Sequence, residues 1–334
     1  MLIVHPHFHR RRSGTTQHVE GVVTALTAAG EDARGMGSLL RAGVPGIPWR
    51  ELLRRLGGEP AVWHAHRNNE MMVGLLLRAL YPRLKLVFTR HSSQPPSWPT
   101  RFLAGRADAR VTLTRQVADA FGLRGAIVGH GVDPDRFPPP PDRAAAWRAL
   151  GLPGARGVGV VGRLRPLKGQ QDFASAVLPV LEERPDWTAV LVGQAKWPEW
   201  WWARRLARLR PSRLLLAGGQ RDVAPWYRAF TVLVQPSYEE AFSMVPLEAM
   251  ASGCCVIASA LPYAREVIDH GRTGFLYEPG DVGTLRGLLS ELMAAPERAE
   301  QIGRAASEEV RARFSVEREA ARLADTYREV LAAG

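Results

Sequence analysis

Short runs of β-branched and other apolar residues alternate along the chain with longer stretches in which apolar positions recur every three or four residues. The first pattern is typical of buried strands and the second of amphipathic helices, so their alternation predicts βα units with parallel sheets. We predict strands at residues 2–5, 61–64, 84–89, 110–113, 126–128, 157–161, 188–192, 214–217, 232–235, 256–258 and 274–277. We also predict helices at about residues 16–29 and from about residue 297 onward, with a break at 314–315.

A cluster of prolines divides this alternation in two. Pro134 is followed by four consecutive prolines at residues 138–141, and such segments are typical of linkers. We therefore predict a linker at residues 136–150 between two doubly wound, Rossmann-like α/β domains at residues 1–135 and 151–315, with a cleft between them. Ligands of such sheets bind beyond the carboxyl ends of the strands.

The composition indicates a folded, basic protein. Hydrophobic residues make up 46% of the 334 residues and charged residues 23%, which excludes a disordered chain. Basic residues exceed acidic ones by 44 to 33, and residues 1–135 alone hold 18 basic against 10 acidic residues. We therefore expect the first domain to bind an anionic partner.

Other features favour a cytoplasmic protein. Cys254 and Cys255 are adjacent in an apolar stretch, which excludes a disulfide framework and indicates small core residues. No signal peptide is apparent, because apolar residues 1–4 precede the arginines at 10–12. The apolar run at residues 71–77 is too short to span a membrane.

One group of candidate site residues follows the predicted strand that ends at Gln235. Glu240 lies in the loop, Ser243 is placed to cap the next helix, and we expect Pro246 and Glu248 in its first turn. This arrangement suits a nucleotide-sugar site, because a helix N-terminus binds phosphate and carboxylates accept hydrogen bonds from sugar hydroxyls. Two solvated surface glutamates are the alternative interpretation of this stretch alone.

A second group follows the strand predicted at residues 157–161. Arg163 and Lys168 lie between Gly162 and Gly169, where the next helix is expected to begin. The two cationic side chains are suited to neutralising a diphosphate beside a helix N-terminus.

Together the two groups resemble the retaining glycosyltransferases of family 4, which have the GT-B fold. Glu240 and Glu248 match the Glu-x7-Glu motif of that family. Residues 162–169, with Arg163 and Lys168, match the stretch of that family that binds the donor diphosphate. Further matches are His64 and His66 after a predicted strand, His91 after the next, residues 131–133 with Phe137 before the linker, and the break at 314–315. The resemblance implies that the terminal helix, residues 316–334, packs back on the first domain.

The resemblance also implies an activity. It implies transfer of a sugar from a nucleotide diphosphate sugar to an acceptor hydroxyl, with retention of configuration and without a required metal or other cofactor. Residues 7–14 resemble the first loop of bacterial lipopolysaccharide-core mannosyltransferases. This further resemblance implies GDP-mannose as donor. The basic excess of residues 1–135, the arginines at 10–12 and the lack of an apolar run long enough to span a membrane predict an anionic glycan or lipid-linked acceptor, reached by peripheral association with the inner face of the cytoplasmic membrane.

Roles for individual residues follow from the same resemblance. The expected catalytic residues are His91, which would reach the reacting centre, together with Glu240, Arg163 and Lys168. The expected donor-binding residues are Arg163 and Lys168 for the diphosphate, Glu248 for the ribose hydroxyls, and Ala241, Phe242 and Ser243 beside the sugar, with Gly14 allowing close backbone approach. Ala241 and Ser243 stand where the family usually has glycine, and His130 replaces its usual asparagine.

Several patterns point to other functions. Residues 157–162 fit a dinucleotide fingerprint, but their glycines fall inside the predicted strand rather than in a turn. Asp133 and Asp135 mimic a metal-binding Asp-x-Asp but match the pre-linker turn of the family. His5, His7 and His9 alternate as zinc ligands do, yet without a nearby cysteine or acidic partner we expect them to pack against neighbours.

Two segments and two rival functions stay open at this stage. The tryptophan-rich segment at residues 197–210 predicts a helix that either packs in the protein or rests on a membrane. The arginines at 10–12 either bind the acceptor or lie in a solvated loop. The basic composition alone allows a nucleic-acid-binding protein, although no recognition motif accompanies it. A GT-B nucleotide-sugar epimerase or an inactive nucleotide-sugar-binding relative is the nearer alternative.

Overall fold

The computed structural model describes residues 1–9, 14–122, 125–195, 201 and 213–333. Its chain forms two compact units, one comprising Met1–Gly131 with Phe314–Gly334 and the other comprising Val132–Arg313. The terminal helix is therefore part of the first unit. None of the described helices combines the length and the apolar character needed to cross a membrane.

The first unit is built on a parallel sheet of six strands in the order β2-β1-β3-β4-β5-β6. The strands are β1 (Leu2–Pro6), β2 (Asp32–Met36), β3 (Ala61–Ala65), β4 (Leu84–Arg90), β5 (Ala109–Thr112) and β6 (Ala126–Ile127). Its helices are α1 (Gly14–Ala28), α2 (Trp49–Leu56), α3 (Asn68–Leu80), α4 (Trp98–Ala104), α5 (Arg115–Phe121) and a terminal helix, Val316–Ala332. The terminal helix packs through Val316, Leu323 and Tyr327 against the same apolar cluster as Val19 and Val22 of α1.

The second unit is built on another parallel sheet of six strands, in the order β12-β11-β10-β7-β8-β9. The strands are β7 (Arg156–Val161), β8 (Trp187–Val192), β9 (Leu214–Gly218), β10 (Phe230–Gln235), β11 (Cys255–Ser259) and β12 (Phe275–Tyr277). Its helices are α6 (Arg143–Ala149), α7 (Gln170–Glu183), α8 (Ala224–Ala229), α9 (Met244–Ala251), α10 (Pro262–Val267), α11 (Val282–Ala294) and α12 (Pro296–Arg313), with a 3-10 turn at Pro166–Lys168. The terminal helix of the first unit is hereafter α13.

The expected class of fold, two doubly wound α/β units, is confirmed. Each of the eleven predicted strands is present, but β2 was not predicted. Its sequence, Asp-Ala-Arg-Gly-Met, has low β-propensity, and it is an edge strand held by parallel pairing with β1. Residues 143–149, inside the predicted linker, form α6, which Asp142 caps by accepting a hydrogen bond from the backbone N–H of Ala145 at 2.9 Å.

Two of the alternative patterns have structural explanations. Gly157 and Gly159 lie within β7, and a Cβ added to them would lie 2.1 Å from Trp147 and 2.2 Å from Phe230, respectively. These glycines therefore make room for aromatic rings in the core and do not form the turn that a dinucleotide fingerprint requires. Asp133 accepts hydrogen bonds from the backbone N–H groups of Asp135 and Arg136, at 2.9 and 3.1 Å, and so stabilises a turn.

Candidate active site

The loop after β7 is held at both ends by Gln170, the first residue of α7. The Gln170 side-chain amide donates to the carbonyl oxygen of Arg163 at 3.0 Å, and its Oε1 accepts from the backbone N–H of Arg165 at 3.4 Å. Gly169 closes the loop in the left-handed region, with φ of +66°. Arg163 projects an exposed side chain from this fixed loop, and Lys168 is half-buried.

The loop after β10 is organised by Gln235 at the end of that strand. Its side-chain amide lies 2.9 Å from Ser237 Oγ, 3.2 Å from Glu240 Oε1 and 3.4 Å from Ser243 Oγ. Ser237 also donates to Glu240 Oε1, at 3.1 Å. Two side-chain donors, those of Gln235 and Ser237, therefore fix the carboxylate that the sequence singled out.

These two loops are joined to each other. Lys168 Nζ forms an ion pair with Glu240 Oε1, and the two side chains are only 19% and 14% exposed. The backbone N–H of Tyr238 donates to the carbonyl oxygen of Leu167 at 3.0 Å. Gly169 packs so closely on the other loop that an added Cβ would lie 1.9 Å from the Pro236 carbonyl oxygen. The structure thus brings the cationic and carboxylate groups of the two sequence stretches together at the carboxyl end of the sheet.

Glu248 is held separately, within α9. It is the fifth residue of that helix, so it lies in the second turn and not in the expected first turn, where Pro246 does lie. Tyr227 donates a hydrogen bond to Glu248 Oε2 at 2.7 Å. Burial raises the pKa of Glu248, and the hydrogen bond from Tyr227 opposes that shift. Ser243 occupies the N-cap position of α9, but its hydroxyl makes no capping hydrogen bond and lies instead within 3.4 Å of the Gln235 amide.

The first unit contains a cavity of about 370 Å³ near the carboxyl end of β4. It is lined by Thr15, His66, Arg67, Asn68, Phe88, Arg90, His91, Ser92, Gln94, Pro95, Ser97 and Thr100. Arg67 Nε is buried there and has no hydrogen-bond partner among the described residues. The cavity therefore offers guanidinium, imidazole and hydroxyl groups to an anionic or polyhydroxylated ligand.

His91 links this cavity to a row of buried histidines. Its Nε2 lies 3.0 Å from His66 Nδ1, and its Nδ1 lies 3.3 Å from His130 Nε2. Burial, followed by the influence of His130, lowers the pKa of His91 well below its usual value. His91 is therefore a neutral imidazole, with one ring nitrogen that donates and one that accepts a hydrogen bond. Gly14, the first residue of α1, is exposed, and an added Cβ would contact no other atom within 4 Å.

The predicted site residues are divided between the two units. In the second unit, Lys168 and Glu240 are in contact, Arg163 is on the same loop as Lys168, and residues 241–243 follow Glu240 directly. His91 and Gly14 belong to the first unit. The arginines at 10–12 and, apart from residue 201, the predicted helix at 197–210 lie outside the described residues. Sequence reasoning missed Tyr227 and the organising role of Gln235, although the position of Gln235 at a strand end was a usable signal.

Comparison with known proteins identifies the family. Residues 155–295 match the family described as glycosyl transferases group 1. The chain is 35% identical over 340 residues to the lipopolysaccharide core biosynthesis mannosyltransferase LpcC of Rhizobium leguminosarum bv. viciae, covering 98% of this chain and 96% of that protein. It is 31% identical over 342 residues to the lipopolysaccharide core biosynthesis mannosyltransferase LpsB of Rhizobium meliloti, covering 98% and 97% of the two chains.

A solved structure supports the fold independently. The crystal structure of HepE from Anabaena in complex with UDP and glucose superposes with a TM-score of 0.80 at 21% identity, covering 98% of this chain and 100% of that one. The two parallel sheets, the paired strand-end loops and the similarity over nearly the whole chain lead to one conclusion. The chain belongs to the group 1 glycosyltransferases and has the GT-B fold.

Proposed function

We propose that the protein transfers a mannosyl group from GDP-mannose to a hydroxyl of a lipopolysaccharide-core acceptor, with retention of anomeric configuration. The observation that carries this proposal is the similarity, over 98% of the chain, to a protein named as a core mannosyltransferase. The joined loops of the second unit support it, because they supply cations and carboxylates at the carboxyl end of a sheet, where nucleotides bind in such folds.

In this proposal the second unit binds the donor. Arg163 and Lys168 stabilise the negative charge that develops on the leaving diphosphate, and no divalent cation is required there. Glu248 accepts hydrogen bonds from the ribose hydroxyls. Its buried position and the hydrogen bond from Tyr227 hold the carboxylate in place for this contact. Glu240 and the backbone of Ala241, Phe242 and Ser243 hold the sugar.

The first unit binds the acceptor, and His91 is the residue that contacts the reacting hydroxyl. The cavity beside His91 supports this assignment through Arg67, whose guanidinium group suits a phosphorylated or carboxylated glycan. The basic excess of residues 1–135 supports peripheral binding to an anionic membrane, where each basic residue contributes about 1 kcal/mol at low salt. Arg10, Arg11 and Arg12 are proposed to contribute to both contacts.

The donor assignment is tested by incubating the purified protein with labelled GDP-mannose, UDP-glucose or UDP-N-acetylglucosamine and a truncated lipopolysaccharide core. Transfer of label from GDP-mannose alone, released afterwards by an α-mannosidase, is the expected result. Transfer from a UDP-sugar alone would refute the donor, and a β-linked product would refute retention. Interconversion of sugars without an acceptor product would instead indicate an epimerase, and nucleotide binding without turnover would indicate an inactive relative.

The acceptor assignment is tested with the triple variant R10S/R11S/R12S and with Arg67→Gln. Both should raise the acceptor KM and leave the donor KM nearly unchanged, because the donor belongs to the second unit. The wild type should sediment with anionic vesicles at low salt and be released at high salt. Loss of donor affinity, or normal use of the acceptor, would contradict the assignment.

A further inference from the structure

The first unit contains a group of three buried side chains that its proposed role in acceptor binding does not require. His18 lies on α1, His130 follows β6, and Glu319 lies on α13, so three distant segments of the chain meet at one point. The two rings and the carboxylate are 7%, 5% and 4% exposed, respectively. Such complete burial of three ionisable groups requires compensation.

Among the described residues, the carboxylate of this group contacts two imidazoles and a backbone N–H group. Glu319 Oε1 lies 3.2 Å from His130 Nδ1 and 3.4 Å from His18 Nδ1, and its Oε2 accepts a hydrogen bond from the backbone N–H of Gly131 at 2.8 Å. Within this part of the chain, neither ion-pair partner of Glu319 is therefore a permanently cationic side chain.

Two of the three distances between the candidate ligand atoms are close to those in the coordination shell of a small divalent ion, and all three atoms lie within 4.8 Å of one another. Zinc binds imidazole nitrogen and carboxylate oxygen at about 2.0–2.2 Å, so neighbouring ligands of a tetrahedral site lie about 3.3–3.5 Å apart. The distances from Glu319 Oε1, 3.2 Å to His130 Nδ1 and 3.4 Å to His18 Nδ1, are within about 0.1 Å of this range. Two histidines and one carboxylate are also a ligand set that zinc adopts in proteins.

The surroundings of His130 add a second, independent feature of a metal site. A ligating imidazole normally directs its other nitrogen to a hydrogen-bond partner, which fixes its orientation. His130 Nε2 lies 3.3 Å from His91 Nδ1, while its Nδ1 faces Glu319. A metal ion on Nδ1 would place the ring proton on Nε2, directed toward His91 and hence toward the cavity.

Two other histidine groups in the same unit are less suited to a metal ion. His5, His64 and His66 form one, but both ring nitrogens of His64 are occupied at 2.6 Å, by Tyr327 and Thr89. His18, His66 and His91 form the other, and it lacks a carboxylate. Of the three groups found among the described residues, the His18–His130–Glu319 group is the one with an anionic ligand.

We propose that His18, His130 and Glu319 form a zinc site that ties α1, the segment after β6 and α13 together beside His91. This site is separate from donor binding, which involves the second unit, and it does not depend on which sugar is transferred. A water molecule would complete the tetrahedral shell. Because all three ligands come from different segments, metal binding should stabilise the first unit.

The test uses the full-length protein, stripped with a chelator and titrated with Co²⁺ as a spectroscopic probe. We expect one Co²⁺ per chain, with the intense visible bands of a four-coordinate site, displaced by Zn²⁺, and an increase in Tm when Zn²⁺ is added. Glu319→Gln keeps the shape of the side chain but removes the anionic ligand. It should weaken Co²⁺ binding by more than about 100-fold, because the loss of an outer-shell partner already costs 10–100-fold.

Two matched variants make the assignment specific. His270→Asn changes an exposed histidine of the second unit and should leave Co²⁺ binding unchanged. His64→Asn removes a member of the neighbouring group and should change Co²⁺ affinity by less than tenfold. Equal Co²⁺ binding by Glu319→Gln and the wild type, or loss of binding only in His64→Asn, would overturn the proposal.

A measurement on the wild type alone keeps the proposal falsifiable if Glu319→Gln does not fold. X-ray absorption of the Zn²⁺-loaded protein should show two imidazoles and nitrogen or oxygen ligands at about 2.0 Å. A wild-type protein that binds no stoichiometric Co²⁺ or Zn²⁺ after refilling would show that the group is a hydrogen-bonded cluster only.

Discussion

Gly169 offers a direct test of whether the two joined loops form one functional unit. In Gly169→Ala the new Cβ would lie 1.9 Å from the Pro236 carbonyl oxygen, whereas real Cβ contacts are essentially never below 3.0 Å. The carbonyl must therefore retreat by more than 1 Å, and the loop that carries Glu240 must move with it. Alanine at φ of +66° is also strained, by about 1–2 kcal/mol.

The expected effect separates into two parts. The backbone strain lowers the free energy of unfolding, but it does not by itself displace the site. The movement of Pro236 displaces Glu240 relative to Lys168, and a misplacement of about 1 Å typically costs about 100-fold in catalysis. We therefore expect kcat/KM for the donor to fall by about 100-fold in Gly169→Ala.

Gly218→Ala is the matched control. Gly218 has a similar φ of +71°, yet an added Cβ there meets no atom within 4 Å. This variant shares the strain and lacks the overlap, so it should lose stability while keeping donor kinetics near those of the wild type. Thermal unfolding and steady-state transfer should be measured on both variants. Equal donor kinetics in the two alanine variants would refute the idea that contact between the loops positions the site.

Four further predictions concern the charged groups of the second unit. Arg163→Ala and Lys168→Ala should each reduce transfer by about 10²–10³-fold and weaken nucleotide binding, because each variant removes a contact worth about 3–4 kcal/mol in the transition state. Unchanged GDP affinity in both variants would show that these two side chains do not hold the donor. Glu248→Gln should raise the donor KM steeply, since a charge-assisted hydrogen bond becomes a neutral one; normal kinetics would exclude the ribose role. Glu240→Gln should abolish most transfer yet bind GDP slightly more tightly, because Lys168 loses its competing carboxylate; isothermal titration giving weaker GDP binding would contradict this. Transfer should need neither Mg²⁺ nor Mn²⁺. Activity that is lost in EDTA and restored by either ion would refute this metal independence. Restoration by Zn²⁺ alone would instead point to the zinc site proposed in the first unit.

The candidate site residues of the second unit could be proposed from the sequence because they lie close together along the chain. Arg163 and Lys168 lie within one strand-end loop, and Glu240 lies in another that leads directly into the helix carrying Glu248, so each charged group was visible in a stretch of fewer than 20 residues. The ion pair between Lys168 and Glu240 was not predicted, since it depends on β7 and β10 being neighbours in the sheet. Strand order is a property of the tertiary fold, and local pattern does not encode it.

The first unit shows the opposite case. Its histidines are spread from residue 5 to residue 130, and Glu319 comes from the terminal helix. His5, His7 and His9 attracted notice because they alternate in sequence, yet the group with the carboxylate uses none of them. The carboxylate that does meet histidines in this unit, Glu319, stands almost 190 residues beyond its partner His130. Close spacing in sequence was therefore a poor guide to the groups that meet in this unit.

Under the proposed donor-binding roles of Lys168 and Glu240, their pairing would let one site treat the two halves of a donor differently. In the structure the two side chains neutralise each other in a mostly buried position, where leaving either charge unpaired would be costly. A diphosphate carries more negative charge than one carboxylate, so it competes effectively for Lys168. Glu240 would then keep the hydrogen bonds from Gln235 and Ser237 and gain free capacity to accept from sugar hydroxyls. Binding of the diphosphate would in this way prepare the carboxylate for the sugar, and a nucleoside diphosphate without a sugar would leave that carboxylate without its ion-pair partner.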